Sequence, residues 1–341
     1  DSDVVIAGVS SSADESLTVS STNGVTLPSA AVNLGAGDLD ITVDSDDDLG
    51  AVTLAIDTAG TPITANNIDL SGGAGANQDD IIDIDGDITA AGALTIDTAA
   101  QVQLDAVTLD AQGGNLEIAT NVGGIALDGG VGTTTTLQTT TADSDVVIAG
   151  VSSSADESLT VSSTNGVTLP SAAVNLGAGD LDITVDSDDD LGAVTLAIDT
   201  AGTPITANNI DLSGGAGANQ DDIIDIDGDI TAAGALTIDT AAQVQLDAVT
   251  LEAQGGNLEI ATNVGGIALD GGVGTTTTLQ TTTADSDVVI AGVSSTADES
   301  LTVSSTNGVT LPSAAVNLGA GDLDITVDSD DDLGAVTLAI D

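Results

Sequence analysis

The 341-residue chain carries 55 acidic residues and no Lys, Arg or His, a formal charge of −55 at neutral pH. Nothing in it can neutralise phosphate, which excludes nucleic acid as a direct partner and argues equally against anionic membrane surfaces. There is no Cys to staple the fold, and no Phe, Tyr, Trp or Met to fill an irregular globular core.

Hydrophobic residues still make up 41% of the chain, all of them Ala, Val, Leu or Ile. Their abundance and regular spacing argue against disorder. A stack of small layers can be built from aliphatic side chains alone. The apolar runs are too short to span a bilayer, so no membrane insertion is expected. The sequence shows no secretory leader and begins at Asp1 inside a repeat, which reads as a mature product or a stretch of something longer.

DSDVVIAGVSS opens at Asp1, Asp143 and Asp285, a period of 142 residues. Residues 1–142 form one copy, 143–284 a second and 285–341 a partial third, with no linker at the boundaries. Asp110 becomes Glu252 in the second copy, and Ser12 and Ser154 become Thr296 in the third.

In chain order, the first clear elements are Leu17-Thr18-Val19, Val25-Thr26-Leu27 and Val32-Asn33-Leu34. Side chains alternate across a strand, so each triplet has a dry face and a polar one. The same device follows at Leu39, Val52, Ile68, Ile82, Leu94, Val102, Val107, Leu116 and Ile125, with a mostly polar residue between each aliphatic pair. Such strict period-2 patterning predicts many short strands, while recurrent Gly and β-branched residues disfavour helix. Asn23-Gly24, Gly72-Gly73, Asp85-Gly86 and Gly129-Gly130 fall between strands, where turns are needed.

The predicted fold is all-β: a parallel β-helix, or β-solenoid, wound continuously through the copies without linkers. Tandem β-sandwiches, one per copy, are the alternative. At about 20 residues per coil and about 4.8 Å per coil, a copy makes about seven coils and the rod is about 80 Å long. That places about one negative charge per 1.5 Å, close to the axial density of duplex DNA. Such a rod condenses cations, and self-repulsion opposes its folding without them.

Two acidic clusters are candidate cation sites, with Ca²⁺ as the candidate ion because it accepts oxygen ligands in adaptable geometry. The first holds Asp44, Asp46, Asp47 and Asp48, and recurs at Asp186, Asp188, Asp189 and Asp190. It opens like a calcium loop, but Gly50 falls one place late and Ala55 stands where an EF-hand needs Glu. The second holds Asp79, Asp80, Asp83, Asp85 and Asp87, and recurs at Asp221, Asp222, Asp225, Asp227 and Asp229. Gly72-Gly73-Ala74-Gly75-Ala76-Asn77 before it resembles the nonapeptide of RTX calcium β-rolls, with Asn77 in place of Asp and without tandem recurrence. If the strand is regular, Asp83, Asp85 and Asp87 line one face, and like charges side by side call for a counter-ion.

Catalysis is not expected. Without His, Cys, Lys or Arg, only carboxylates and hydroxyls remain, and every candidate group recurs one copy later. An ice-binding Thr array is interrupted by Asp, Gln and Glu. The Thr-rich stretch 132–141 reads as a strand with a β-branched outer face, or alternatively as a site for O-linked sugar.

The segments GGNLEI at Gly113, GDLDITV at Gly37, GALTI at Gly92 and GGIAL at Gly123 resemble the filamentous-haemagglutinin-like β-helical repeats of large bacterial surface proteins. That resemblance implies a secreted, very long, right-handed β-helix serving as an adhesin shaft, sheath or matrix fibre. The expected role is a structural shaft segment at the cell surface or outside the cell. Its expected partners are copies of itself, end to end or side by side, together with cations. The alternative is a Ca²⁺-dependent adhesin repeat that binds sugars or a neighbouring cell.

Overall fold

The computed structural model describes residues 2–28, 31–45, 51–58, 60–72, 80–98, 100–120, 123–141, 143–154, 156–170, 173–187, 193–200, 202–214, 222–240, 242–262, 265–295, 298–311, 315–330 and 336–340. It divides into two compact units, Asp1–Thr164 and Asn165–Asp341. Among the described residues there is no helix, and so none long and apolar enough to cross a membrane.

In the first unit three parallel sheets share the strands in strict rotation. The first sheet runs Val4–Val5, Val25–Pro28, Thr53–Asp57, Ile81–Asp85, Gln101–Leu104, Gly124–Leu127, Val151–Ser153. The second runs Val9–Ser10, Val32–Asn33, Ile63–Ala65, Ile88–Ala90, Thr108–Ala111, Thr134–Thr139, Ser158–Ser162. The third runs Leu17–Ser20, Leu39–Thr42, Ile68–Ser71, Leu94–Thr98, Leu116–Thr120, Val146–Ile148. Each strand pairs with the third strand before it and the third after it. This is a parallel β-solenoid, and the second unit is built the same way. A β-sandwich would need antiparallel pairs, whereas the strand pairs among the described residues are parallel.

Alternation within the triplets decides the inside. Leu39–Thr42 is buried, exposed, buried, half-buried in order. In register, the inward residues stack as aliphatic ladders. One runs Val25, Leu54, Ile82, Val102, Ile125, Val151 in the first sheet. Another runs Leu39, Ile68, Leu94, Leu116, Val146 in the third. Nearly all are fully buried, and each such side chain contributes about 1.5–3 kcal/mol of transfer free energy. Branched aliphatics fill a layer only one strand spacing high, which explains why the core manages without aromatics.

A turn takes about 24 residues, more than the 20 expected from the sequence. The excess lies in the corners. Val25 pairs with Leu54, a step of 29 residues, but Ile82 pairs with Val102, a step of 20. Strands are constant and corners vary, so triplet spacing alone underestimates the turn. A copy therefore makes just under six turns instead of seven.

Strand pairing also runs across the copy boundaries. Thr134–Thr139 pairs with Ser158–Ser162 over the 142/143 junction, and Thr276–Thr281 with Ser300–Ser304 over the 284/285 junction. Each junction carries a buried polar seam. Thr135 and Glu157 are fully buried, Thr139 is 2% exposed and Ser163 is fully buried. Thr139 Oγ1 donates to the Ser144 carbonyl at 3.0 Å, and Ser163 Oγ donates to the same oxygen at 2.8 Å.

Candidate cation-attracting surface

The acidic residues divide by what the backbone asks of them. At the corners, carboxylates accept N–H groups from the neighbouring turn that have no strand partner. Asp38 Oδ1 accepts the Asn67 backbone N–H at 3.0 Å and the side-chain amides of Asn66 and Asn67 at 2.9 and 3.0 Å. The Asn67 backbone N–H, then the Asn66 amide, hold the Asp38 carboxyl below its usual range. Asn67 passes the device on: its Oδ1 accepts the Ala93 N–H at 3.0 Å. Asp180, Asn208, Asn209 and Ala235 repeat it in the next copy.

Several of the candidate cation ligands serve the same purpose. Asp80 is 4% exposed and accepts the Val52 N–H at 3.1 Å, and Asp222 accepts the Val194 N–H at 3.3 Å. Asp87 lies past the corner at Gly86, beyond the strand, and accepts the Thr108 N–H at 2.8 Å; Asp229 accepts that of Thr250 at 2.7 Å. Asp44 and Asp186 are each 3% exposed, in the left-handed region at φ 46° and 49°, which Asp tolerates better than most residues. Asp46, Asp47, Asp48, Asp79, Asp188, Asp189, Asp190 and Asp221 lie outside the described residues.

Asp83 and Asp85 remain, and they belong to a larger array than the sequence suggested. Asp85 pairs directly with Asp57 on the preceding turn. Asp105 follows Leu104, whose register partners are Ile84 and Leu127, and Asp128 follows Leu127. Asp57, Asp85, Asp105 and Asp128 thus climb one edge of the first sheet over four successive turns, with Asp83 beside them. The second copy sets Asp199 against Asp227, then Asp247 and Asp270, with Asp225 beside them. A shorter pair of the same kind joins Asp40 to Asp69 in the third sheet, with Asp97 one turn on.

No cationic side chain exists to offset this crowding. Burial first, then the Asp85 and Asp105 charges, push the Asp83 carboxyl up. Burial, then Asp105 and Asp57, do the same to Asp85. Asp128 is raised by burial, then by Asp105, Asp83 and Glu157. Asp69 is raised by burial, then by Asp40 and Asp97. Asp225, Asp227 and Asp270 are raised in the second copy, again with burial as the first cause.

The ladder is open and linear. Among the described residues, no three carboxylates converge so as to enclose a metal ion. Its geometry suits cations held along a charged edge through their hydration shells. The sequence signal for it was present: TLAID, IIDID, QVQLD and GIALD each end an inward aliphatic pair with an outward Asp. Comparison with protein-family models, with curated proteins and with solved structures finds no match to this chain. What stands is the architecture, a tandem-repeat parallel β-solenoid.

Proposed function

We propose that this chain is a structural shaft segment of an extracellular filament, sheath or giant cell-surface protein, with cations accompanying its acidic surface. The observation that carries the reading is the passage of strand pairing through the junctions between copies, at Thr134–Thr139 with Ser158–Ser162 and Thr276–Thr281 with Ser300–Ser304. A repeat whose sheets continue into the next copy can be lengthened by adding copies, each supplying the neighbour's missing edge. The near-identity of the copies fits a part whose length matters more than any one position in it. The carboxylate ladders keep such a shaft hydrated and discourage unmediated contact between chains of the same sign. Copies of the same chain would then meet side by side only with cations between them.

Electron microscopy of the purified chain in millimolar Ca²⁺ tests this. Thin, elongated particles are expected, and globules the size of one 142-residue domain would overturn it. Calorimetry with Ca²⁺ separates the plain shaft from a calcium-dependent adhesive repeat. Weak, salt-sensitive uptake fits the shaft, whereas saturable binding at a fixed ratio per copy fits the adhesin.

A further inference from the structure

The sequence period and the winding do not match. From Val4–Val5 to Thr134–Thr139 one copy contributes 17 strands among the described residues, and the next copy begins again at Val146–Ile148. Three strands make a turn, so a copy ends one strand short of six turns. The consequence is visible inside each unit. Val4–Val5 lies in the first sheet, but its counterpart Val146–Ile148 lies in the third, paired with Leu116–Thr120. Val9–Ser10 lies in the second sheet, but Val151–Ser153 lies in the first, paired with Gly124–Leu127. Leu17–Ser20 lies in the third sheet, but Ser158–Ser162 lies in the second, paired with Thr134–Thr139.

The second unit shows the same step independently. Val167–Pro170 shares a sheet with Thr195–Asp199 and Ile223–Asp227. Its counterpart Val309–Leu311 instead pairs with Val288–Ile290, in the sheet of Leu258–Thr262. Identical sequence is therefore placed on a different side of the solenoid each time it recurs.

We infer that the 142-residue repeat is a presentation device: each copy displays the same outward surface one sheet further round than the copy before, so that consecutive copies do not offer the same feature along one sheet. The interior permits this because the three sheets accept the same inward residues. Val, Leu and Ile occupy equivalent rows in all of them, so a strand loses nothing on moving from one sheet to the next. The exterior gains from it. A flat partner lying on the first sheet of the first unit meets Val4–Val5 of one copy but Val151–Ser153, the counterpart of Val9–Ser10, of the next. A repeat of whole turns would return each strand to the sheet of its counterpart. The surface is thus poorly suited to a partner that reads consecutive copies along one face. This inference concerns the winding alone and does not depend on the shaft reading.

Engineered cysteine pairs test it, because the chain has no cysteine of its own. Ala126 and Ser152 are register partners in the first sheet of the first unit, across the copy junction. Neighbouring parallel strands bring Cα atoms to about 4.8 Å, within disulfide range. Under mild oxidation Ala126→Cys with Ser152→Cys should close an intrachain disulfide, as should the matching pair Ala268→Cys with Ser294→Cys. If copies made whole turns, Ser152 would instead join the sheet of Ser10 and stack on Gln138. The pair Gln138→Cys with Ser152→Cys should therefore stay reduced. Thr26→Cys with Ala55→Cys, partners within one copy, serves as the control for folding and reactivity. Closure of the Gln138 pair would overturn the inference, and so would failure of the Ala126 pair when the control closes.

Discussion

Glu15 and Glu157 occupy identical local sequence, VSSSADESLTV, yet one is exposed and the other fully buried. Their local structure agrees. The Glu15 N–H donates to Ser11 Oγ at 2.8 Å, and the Glu157 N–H donates to Ser153 Oγ at 2.8 Å. The difference comes from the preceding copy. Glu157 Oε1 accepts the Thr135 hydroxyl at 2.7 Å, and Oε2 accepts the Gly129 N–H at 2.6 Å. Glu299 finds the same two partners in Thr277 and Gly271. The buried Glu157 and Glu299 carboxylates are held by the edge of the preceding copy, so the functional unit of this fold includes a neighbour's edge.

Removing that carboxylate should produce the largest effect. Glu157→Ala strands the Thr135 hydroxyl and the Gly129 N–H in a dry junction, and should cost about 3 kcal/mol. Glu15→Ala should change stability by no more than about 0.5 kcal/mol. Hydrogen exchange is the suitable measurement, since a solenoid can open locally. Protection should fall in Thr134–Thr139 and Ser158–Ser162 for the first variant alone. Equal losses from the two substitutions would dissolve the contrast.

The next effect is smaller and depends on pH. Glu157 is given donors, whereas Asp83, Asp85 and Asp128 are raised first by burial and then by other carboxylates. Their folded-state pKa values lie above the unfolded ones, so the folded chain binds protons more readily than the unfolded chain. Stability is then fully present below the ordinary carboxylate pKa and is lost as pH rises through the raised values. The melting temperature at low ionic strength should accordingly increase as pH is lowered from 7 toward the ordinary carboxylate range. Salt should flatten that slope by screening the ladder. Asp38 works in the opposite sense, because its lowered pKa contributes stability that is lost on acidification. Asp85→Asn with Asp227→Asn should reduce the gain on acidification, and a melting temperature that only falls from pH 7 downward would contradict the assignment of the ladder.

The triplets announced the strands. Leu17–Ser20, Val25–Pro28, Leu39–Thr42, Ile68–Ser71 and Leu116–Thr120 all start where an aliphatic pair begins. They did not announce Ile63–Ala65 or Ile88–Ala90, where Ala takes the second inward place and weakens the alternation. Nor did they reveal that Thr135 and Thr139 turn inward, because a run of Thr has no periodic contrast. The candidate site was half legible. Asp83 and Asp85 stood out as a local row, but Asp57, Asp105 and Asp128 join them through register between turns, which depends on corner lengths. The same corner lengths concealed the one-sheet step per copy. Asp110 shows the limit most sharply. It is 7% exposed, with Oδ1 unpartnered, whereas Glu252 at the matching position is half-buried; one methylene decides which carboxylate reaches water.

The smallest expected effect tests whether the junction hydroxyls are special. Thr135 and Thr58 are both inward and both essentially inaccessible, at 0% and 1% exposure. Thr135 meets Glu157, but Thr58 Oγ1 has no hydrogen-bond partner, and neither has Thr200 Oγ1 one copy later. The hydroxyl of Thr58 instead packs over Gly86, where an added Cβ would collide with it. An unpaired buried hydroxyl carries a desolvation cost that a methyl group of the same shape avoids. Thr58→Val and Thr200→Val should therefore each stabilise the chain by about 1 kcal/mol, while Thr135→Val should destabilise it by about as much. Urea melts of the three variants, compared by midpoint, read the signs directly. If all three destabilise, the partner does not distinguish these hydroxyls and shape alone governs the inward rows; opposite signs show that the junction, and not the coil interior, is where this solenoid uses buried polarity to hold its copies together.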